Sequence, residues 1–167
     1  MRETYGEIVT MLEQNEVFVF GSNLNDGFHG AGAAGYASFG VPGNRWREFE
    51  YDKKPKGWKG HWNVKGQAEG LQFGNNGKSY ALPTVWKPGY PKSLKASEII
   101  ENIKRMYKVA AEHPQWKFLV AGSSENSRTP LNGYSHEELC AMYKEAGPVP
   151  ANVLFSTSYT KVIFPEE

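Results

Sequence analysis

The sequence predicts an α/β domain built on a mixed sheet with helices on both faces. Short apolar runs of the buried-strand type recur at 17–20, 117–121 and 152–156. Stretches with a helical apolar period lie between them, most clearly over 97–112. Segments rich in Gly, Ser and Asn separate the two kinds of pattern. Strands that alternate with helices in this way argue for helices layered on a sheet. A chain of 167 residues suits one domain, 1–167, with a sizeable core.

The elements follow in order. Tyr5 to Gln14 has a short helical pattern, with Ile8, Met11 and Leu12 on one face. Val17–Phe20 is uniformly apolar, as a strand buried on both faces is. Small residues from Gly30 to Ser38 suit a helix near Gly30–Phe39 that packs close to its neighbours. Residues 44–70 are charged, rich in Gly and Trp and without period, and read as a long surface excursion of the same domain. Leu71–Phe73 and Ser79–Leu82 read as short strands around Gly74-Asn75-Asn76-Gly77. Pro83 is expected to end the second. Over Ser97–Glu112 the residues Ile99, Ile100, Ile103, Met106, Tyr107 and Ala110 form one apolar helix face. Lys117–Ala121 is a second buried strand. Ser135 and Glu138 have capping-box spacing, so a helix should run from there to about Glu145. Asn152–Ser156 is a further strand, and Lys161–Phe164 a short last one.

Composition excludes several classes. The formal net charge is +1, so no global field draws the chain to nucleic acid or an anionic membrane. A single cysteine, Cys140, rules out an internal disulfide framework and a cysteine-based zinc site. That usage suits a reducing, cytoplasmic setting. No apolar run approaches membrane-spanning length, and the N-terminal residues are too polar for a signal peptide.

The most informative segment is 17–43. Val17–Phe20 runs into Gly21-Ser22-Asn23, and seven glycines fall between Gly21 and Gly43. Strand, glycine turn and helix N-terminus together suit an anion such as phosphate. Glycines admit close backbone approach, and free N–H groups with the helix dipole favour negative charge. From Val17 to Asn44 there is no Lys or Arg and one acid, Asp26. Such an anion would be held by backbone. Glycine turns also serve merely to close tight βα connections. Ser22, Asn23, Asp26 and His29 tip the reading toward a site, because a structural turn needs no such set of hydrogen-bonding side chains. Asn23, Asp26 and His29 are the candidates for catalysis.

A second loop, Gly122 to Tyr134, follows one buried strand and precedes the capped helix. It carries Ser123, Ser124, Asn132 and Gly133, with Arg128 its only cation. In open α/β sheets ligands sit outside the carboxyl ends of strands. If strands 17–20 and 117–121 are parallel neighbours, the two loops face one crevice.

Other patterns fail on inspection. Gly77-Lys78-Ser79 resembles the end of a P-loop, but Gln72 stands where its first glycine belongs and a strand follows. Gly30-Ala31-Gly32-Ala33-Ala34-Gly35 partly mimics a dinucleotide fingerprint, without the acidic residue that should end a second strand. His61, His113 and His136 lack partners at metal-ligand spacing. Cys140 sits on an apolar helix face and reads as core. Lys53, Lys54, Lys56 and Lys59 alternate with Trp58, His61 and Trp62 like a nucleic-acid patch. Glu48, Glu50 and Asp52 cancel much of that charge and weigh against the patch.

Taken together, FVFGSN, HGAGAA, GKSYALPT, FLVAG, NGYSHEELCAMY and NVLFS resemble a group of small bacterial and phage proteins related to macro domains. The resemblance touches most of the chain, least at 44–66. It implies a three-layer α/β/α fold and a ligand of the ADP-ribose type. Some macro domains hydrolyse ADP-ribose esters or the 1″-phosphate. The resemblance implies that Gly21, Ser22 and Asn23 form the strand end whose asparagine meets the distal ribose. It places Gly30, Ala31 and Gly32 near the diphosphate, and Asn132, Gly133 and Tyr134 at the end of a second phosphate loop. Nothing before Val17 supplies the acidic residue that reads adenine in macro domains.

Three functions follow as expectations. The first is binding of ADP-ribose or a related NAD-derived nucleotide, with hydrolysis of an ADP-ribosyl ester or phosphate. In it Asn23 orients the ribose and Asp26 or His29 positions water; neither a metal nor a cofactor is needed. The second is a non-catalytic binder that sequesters such a small-molecule ligand. The third, less favoured, is nucleic-acid binding through 53–62.

Overall fold

The computed structural model describes residues 3–5, 12–24, 69–73, 78–87, 89–121 and 132–165. In these residues a sheet of five strands forms from β1 (Glu16–Asn23), β2 (Gly70–Phe73), β3 (Lys78–Val85), β4 (Lys117–Val120) and β5 (Val153–Phe155). Their order across the sheet is β2-β3-β1-β4-β5. Four strands are parallel, and β2 lies antiparallel to β3 at one edge. The mixed α/β class expected from the sequence is therefore present.

The described helices are α1 (Ala96–Glu112), α2 (His136–Glu145) and α3 (Thr157–Ile163). Ile99, Ile103, Met106 and Ala110 of α1 are fully buried, because their spacing puts them on one face of the helix. They share a core with Val17, Val19, Tyr80, Leu82, Phe118 and Phe155 of the sheet. Leu139 and Tyr143 of α2 and Tyr159 and Ile163 of α3 close the same core. A fully buried aliphatic such as Ile103 contributes roughly 1.5–3 kcal/mol. Period-two alternation sends Phe18, Phe20, Ala81, Leu119 and Leu154 to the opposite face, where they bury with Leu12. Both faces are apolar, which is why β1 reads as a continuous hydrophobic run. Among the described residues all three helices lie on the first face. The helix expected near Gly30–Phe39 and the excursion at 44–70 fall outside the described residues, apart from Glu69 and Gly70.

Three expectations need correction. β3 does not stop at Pro83 but continues to Val85. The carbonyl of Pro83 accepts from Asn102 Nδ2 at 3.0 Å, so this residue's polar edge faces away from β1. The N–H that proline lacks would point the same way, beyond the last β2 pair at Gly70 and Ala81, where no ladder bond is lost. The last element is the helix α3, not a strand at 161–164. Ser156 Oγ accepts from Tyr159 N–H at 3.4 Å and caps it, and Tyr159 and Ile163, four residues apart, bury together. Finally, Tyr5 bridges Ser156 at the outer edge of the sheet, and residues 12–14 are not helical. The rest of the helix expected over 5–14 lies outside the described residues.

Candidate functional site

The connections put one point of the sheet at its topological centre. β1 has β3 on one side and β4 on the other. The chain reaches β2 and β3 on the first side, then crosses by α1 to β4 and moves outward to β5. The order reverses between β1 and β4, and such a reversal opens a crevice outside the carboxyl ends of the strands. The two loops that the sequence singles out begin here. Val19 pairs with Val120, and Ala121 N–H donates to Val19 O at 2.8 Å. The condition that strands 17–20 and 117–121 be parallel neighbours is met.

β1 outruns β4. Gly21, Ser22 and Asn23 extend past the last β4 pair and are held on the other side by Leu82, Pro83 and Val85 of β3. Leu24 N–H closes the strand on Val85 O at 3.2 Å. Gly21 is exposed, whereas Ser22 and Asn23 are buried. Ser22 Oγ donates to Asn23 O at 3.4 Å.

The register slips at this point. Ser22 pairs with Pro83, but Asn23 pairs with Val85. Thr84 is the extra residue of a β-bulge, a device that re-aims a side chain and is over-represented beside active sites. Its hydroxyl lies 3.0 Å from where a Cβ on Gly21 would stand. Sequence reasoning did not single out Thr84. A bulge depends on pairing with a distant strand and leaves no local pattern.

The other described candidates have a different setting. Asn132 Oδ1 accepts from Tyr134 N–H at 2.9 Å, and Asn132 O accepts from Lys92 N–H at 2.6 Å. Gly133 has φ +86, and a Cβ there would come within 2.5 Å of Pro91 Cβ. Tyr134 is buried, and its hydroxyl donates to Leu94 O at 2.6 Å. Lys92 Nζ lies 5.3 Å from the centre of the Tyr134 ring. This triplet is fastened to the connection between β3 and α1. Asp26, His29, Gly30, Ala31, Gly32, Ser123, Ser124 and Arg128 lie outside the described residues, as does the Lys/Trp stretch 53–62.

Charge at the carboxyl edge is also arranged. α1 and α2 both start there, and each start carries a glutamate of its own. Glu98 Oε1 accepts from Lys95 N–H at 3.0 Å. Glu138 Oε1 accepts from Ser135 N–H at 2.8 Å, and Ser135 Oγ accepts from Glu138 N–H at 3.1 Å. The Ser135 backbone bond holds the Glu138 carboxyl below its ordinary range. These carboxylates occupy the places an anion would take. Tyr80 and Cys140, both with raised pKa, sit in the helix-side core. Burial, then Glu69, pushes the Tyr80 phenol up to about 12; burial, then Glu137, does the same to the Cys140 thiol. His136 is buried with its ring edge-on to Tyr159 at 4.8 Å.

Among the described residues no group of three or more His, Cys, Asp or Glu side chains is placed to hold a metal ion, and no helix is long and apolar enough to cross a membrane. No family model matches the chain, and no curated protein matches it.

Proposed function

We propose that the crevice between β1 and β4 binds ADP-ribose or a related NAD-derived nucleotide. The observation that carries this reading is the parallel pairing of β1 with β4 at the point where strand order reverses. The glycine-rich loop after β1 and the Ser/Asn-rich loop after β4 then leave from neighbouring strand ends. In this reading Asn23 orients the distal ribose and backbone at Gly30–Gly32 holds the diphosphate. Asp26 or His29 positions water for hydrolysis of an ADP-ribosyl ester or ADP-ribose 1″-phosphate. The three-layer, macro-like arrangement belongs to the same proposal. The buried apolar face of Phe18, Phe20 and Leu154 supports it, since such a face needs a covering layer. The binder without turnover differs only in the chemistry.

The test is a thermal-shift and calorimetric titration with ADP-ribose, beside an assay for release of free ADP-ribose from an ADP-ribosylated protein. A ligand that binds only the folded state raises the melting temperature by mass action. The expected result is a saturable rise with ADP-ribose. Asn23→Ala should lower turnover much more than it lowers stability, because a misplaced ribose loses rate as well as affinity. Binding without turnover selects the sequestering protein, and no binding removes the proposal.

A further inference from the structure

We propose that Thr84 is a ligand-contacting residue, and that its hydroxyl and the bare backbone of Gly21 form one binding notch. The inference rests on the reading of the β1–β4 crevice as a nucleotide site, and names a contact on its β3 side. Three observations converge on it. Thr84 is the extra residue of the bulge between Pro83 and Val85, so its side chain is aimed by an irregularity and not by the pleat. It is only 6 % exposed, and its Oγ1 has no hydrogen-bond partner among the described residues. The oxygen is not closed off from solvent, so it can pair with water or with a ligand atom.

The third observation is the neighbour. Gly21 is exposed at the carboxyl edge, and the place its Cβ would fill lies 3.0 Å from Thr84 Oγ1. A Cβ so close would crowd the hydroxyl. A side chain at 21 would cover that face of the hydroxyl. Glycine here therefore leaves a space that the threonine hydroxyl can address, as donor or acceptor. The chemistry that fits is a ligand oxygen, from a ribose hydroxyl or a phosphate.

The experiment compares the full-length wild type with Thr84→Val, Thr84→Ser and Gly21→Ala. Each is titrated with ADP-ribose, ADP, ribose 5-phosphate and inorganic phosphate, and melted without ligand. Thr84→Val keeps the shape and removes the hydroxyl. It is expected to weaken ADP-ribose binding about ten-fold and to leave the unliganded melting temperature unchanged or higher, because no partner is abandoned. Thr84→Ser should bind like the wild type, and Gly21→Ala should weaken binding at least as much as Thr84→Val. Loss confined to ligands that contain ribose assigns the contact to a sugar hydroxyl; loss shared with inorganic phosphate assigns it to a phosphate oxygen.

Unchanged affinity in Thr84→Val overturns the inference and leaves the nucleotide reading intact. A lower melting temperature with unchanged affinity does the same and makes the hydroxyl structural. Binding of phosphate but not ADP-ribose, weakened by Thr84→Val, keeps the notch and overturns the nucleotide reading. A wild type stabilised by none of the four probes overturns both.

Discussion

Two short segments at the carboxyl edge of the sheet look alike as sequence and differ as structure. Gly21-Ser22-Asn23 and Asn132-Gly133-Tyr134 each combine glycine with an amide and a hydroxyl. In the second, the polar groups serve the protein. Asn132 bonds to Tyr134 and Lys92, Tyr134 bonds to Leu94, and the glycine exists to pass over Pro91. In the first, Ser22 Oγ donates to Asn23 O, the glycine is exposed, and the hydroxyl beside it, on Thr84, makes no hydrogen bond to a described residue. Glycine with small polar residues signals a special backbone geometry in both. Only the fate of the hydrogen-bonding groups separates a fastening from a receptor.

The largest effect that can break this comparison is at Gly133. Its φ of +86 suits glycine, and a Cβ would collide with Pro91. Gly133→Val is expected to cost about 2–4 kcal/mol, from left-handed strain and overpacking together. Denaturant unfolding measures it. If the second segment is a fastening, the folded fraction of this variant keeps wild-type affinity for ADP-ribose. A variant of native stability that cannot bind would move the second segment into the site.

Much of the frame was legible. The cores of β1, β4 and β5 were readable because strands with both faces covered leave continuous apolar runs. α1 and α2 were readable from apolar period and, for α2, from a capping box whose two bonds both form. The unreadable parts depend on distant partners. Pro83 looked like a strand end, and only the helix residue Asn102, which takes its carbonyl, shows why the strand continues. The run from Lys161 to Phe164 looked like a strand because Val162 and Ile163 are β-branched; the Ser156 cap and core packing override that preference. Thr84 gave no signal at all, since its bulge arises from a register slip against β1. For the candidate site, Gly21, Ser22 and Asn23 lie at the carboxyl end of β1, where the sequence puts a strand end. Asn132 to Tyr134 were found as a special segment whose described bonds are all internal.

A middle-sized effect sharpens the comparison at Tyr134. Tyr134→Phe removes the donor to Leu94 O and keeps the ring beneath Lys92. It should lower stability by about 1–2 kcal/mol and leave ligand affinity as it is. The contrast with Thr84→Val is the informative one. Both variants delete one buried hydroxyl from the same edge of the sheet. The first should cost stability without affinity, and the second affinity without stability. Equal behaviour of the two would erase the distinction drawn between the segments.

The smallest effect concerns charge just after the second segment. Glu138 stands in the first turn of α2 and accepts from Ser135 N–H. The bond to the ionised carboxyl, helped by Ser135 Oγ and by Lys92 at 3.4 Å, lowers its pKa from an ordinary value of 4.5. A carboxyl whose pKa is lower in the folded state binds its proton less readily there than in the unfolded chain. Its contribution is therefore complete above 4.5 and is lost as pH falls through the lower, folded value. Glu138→Gln keeps an acceptor for Ser135 but loses the negative charge that opposes the helix dipole. The wild type should melt slightly higher than Glu138→Gln at pH 7, and the gap should close as the pH is taken below 4.5. Melting curves of both proteins between pH 7 and pH 3 provide the measurement. A gap that stays constant over this range would mean that the glutamate acts by shape alone. The α2 start would then no longer be filled by its own anion, and the second segment could again be weighed as a place where a phosphate sits.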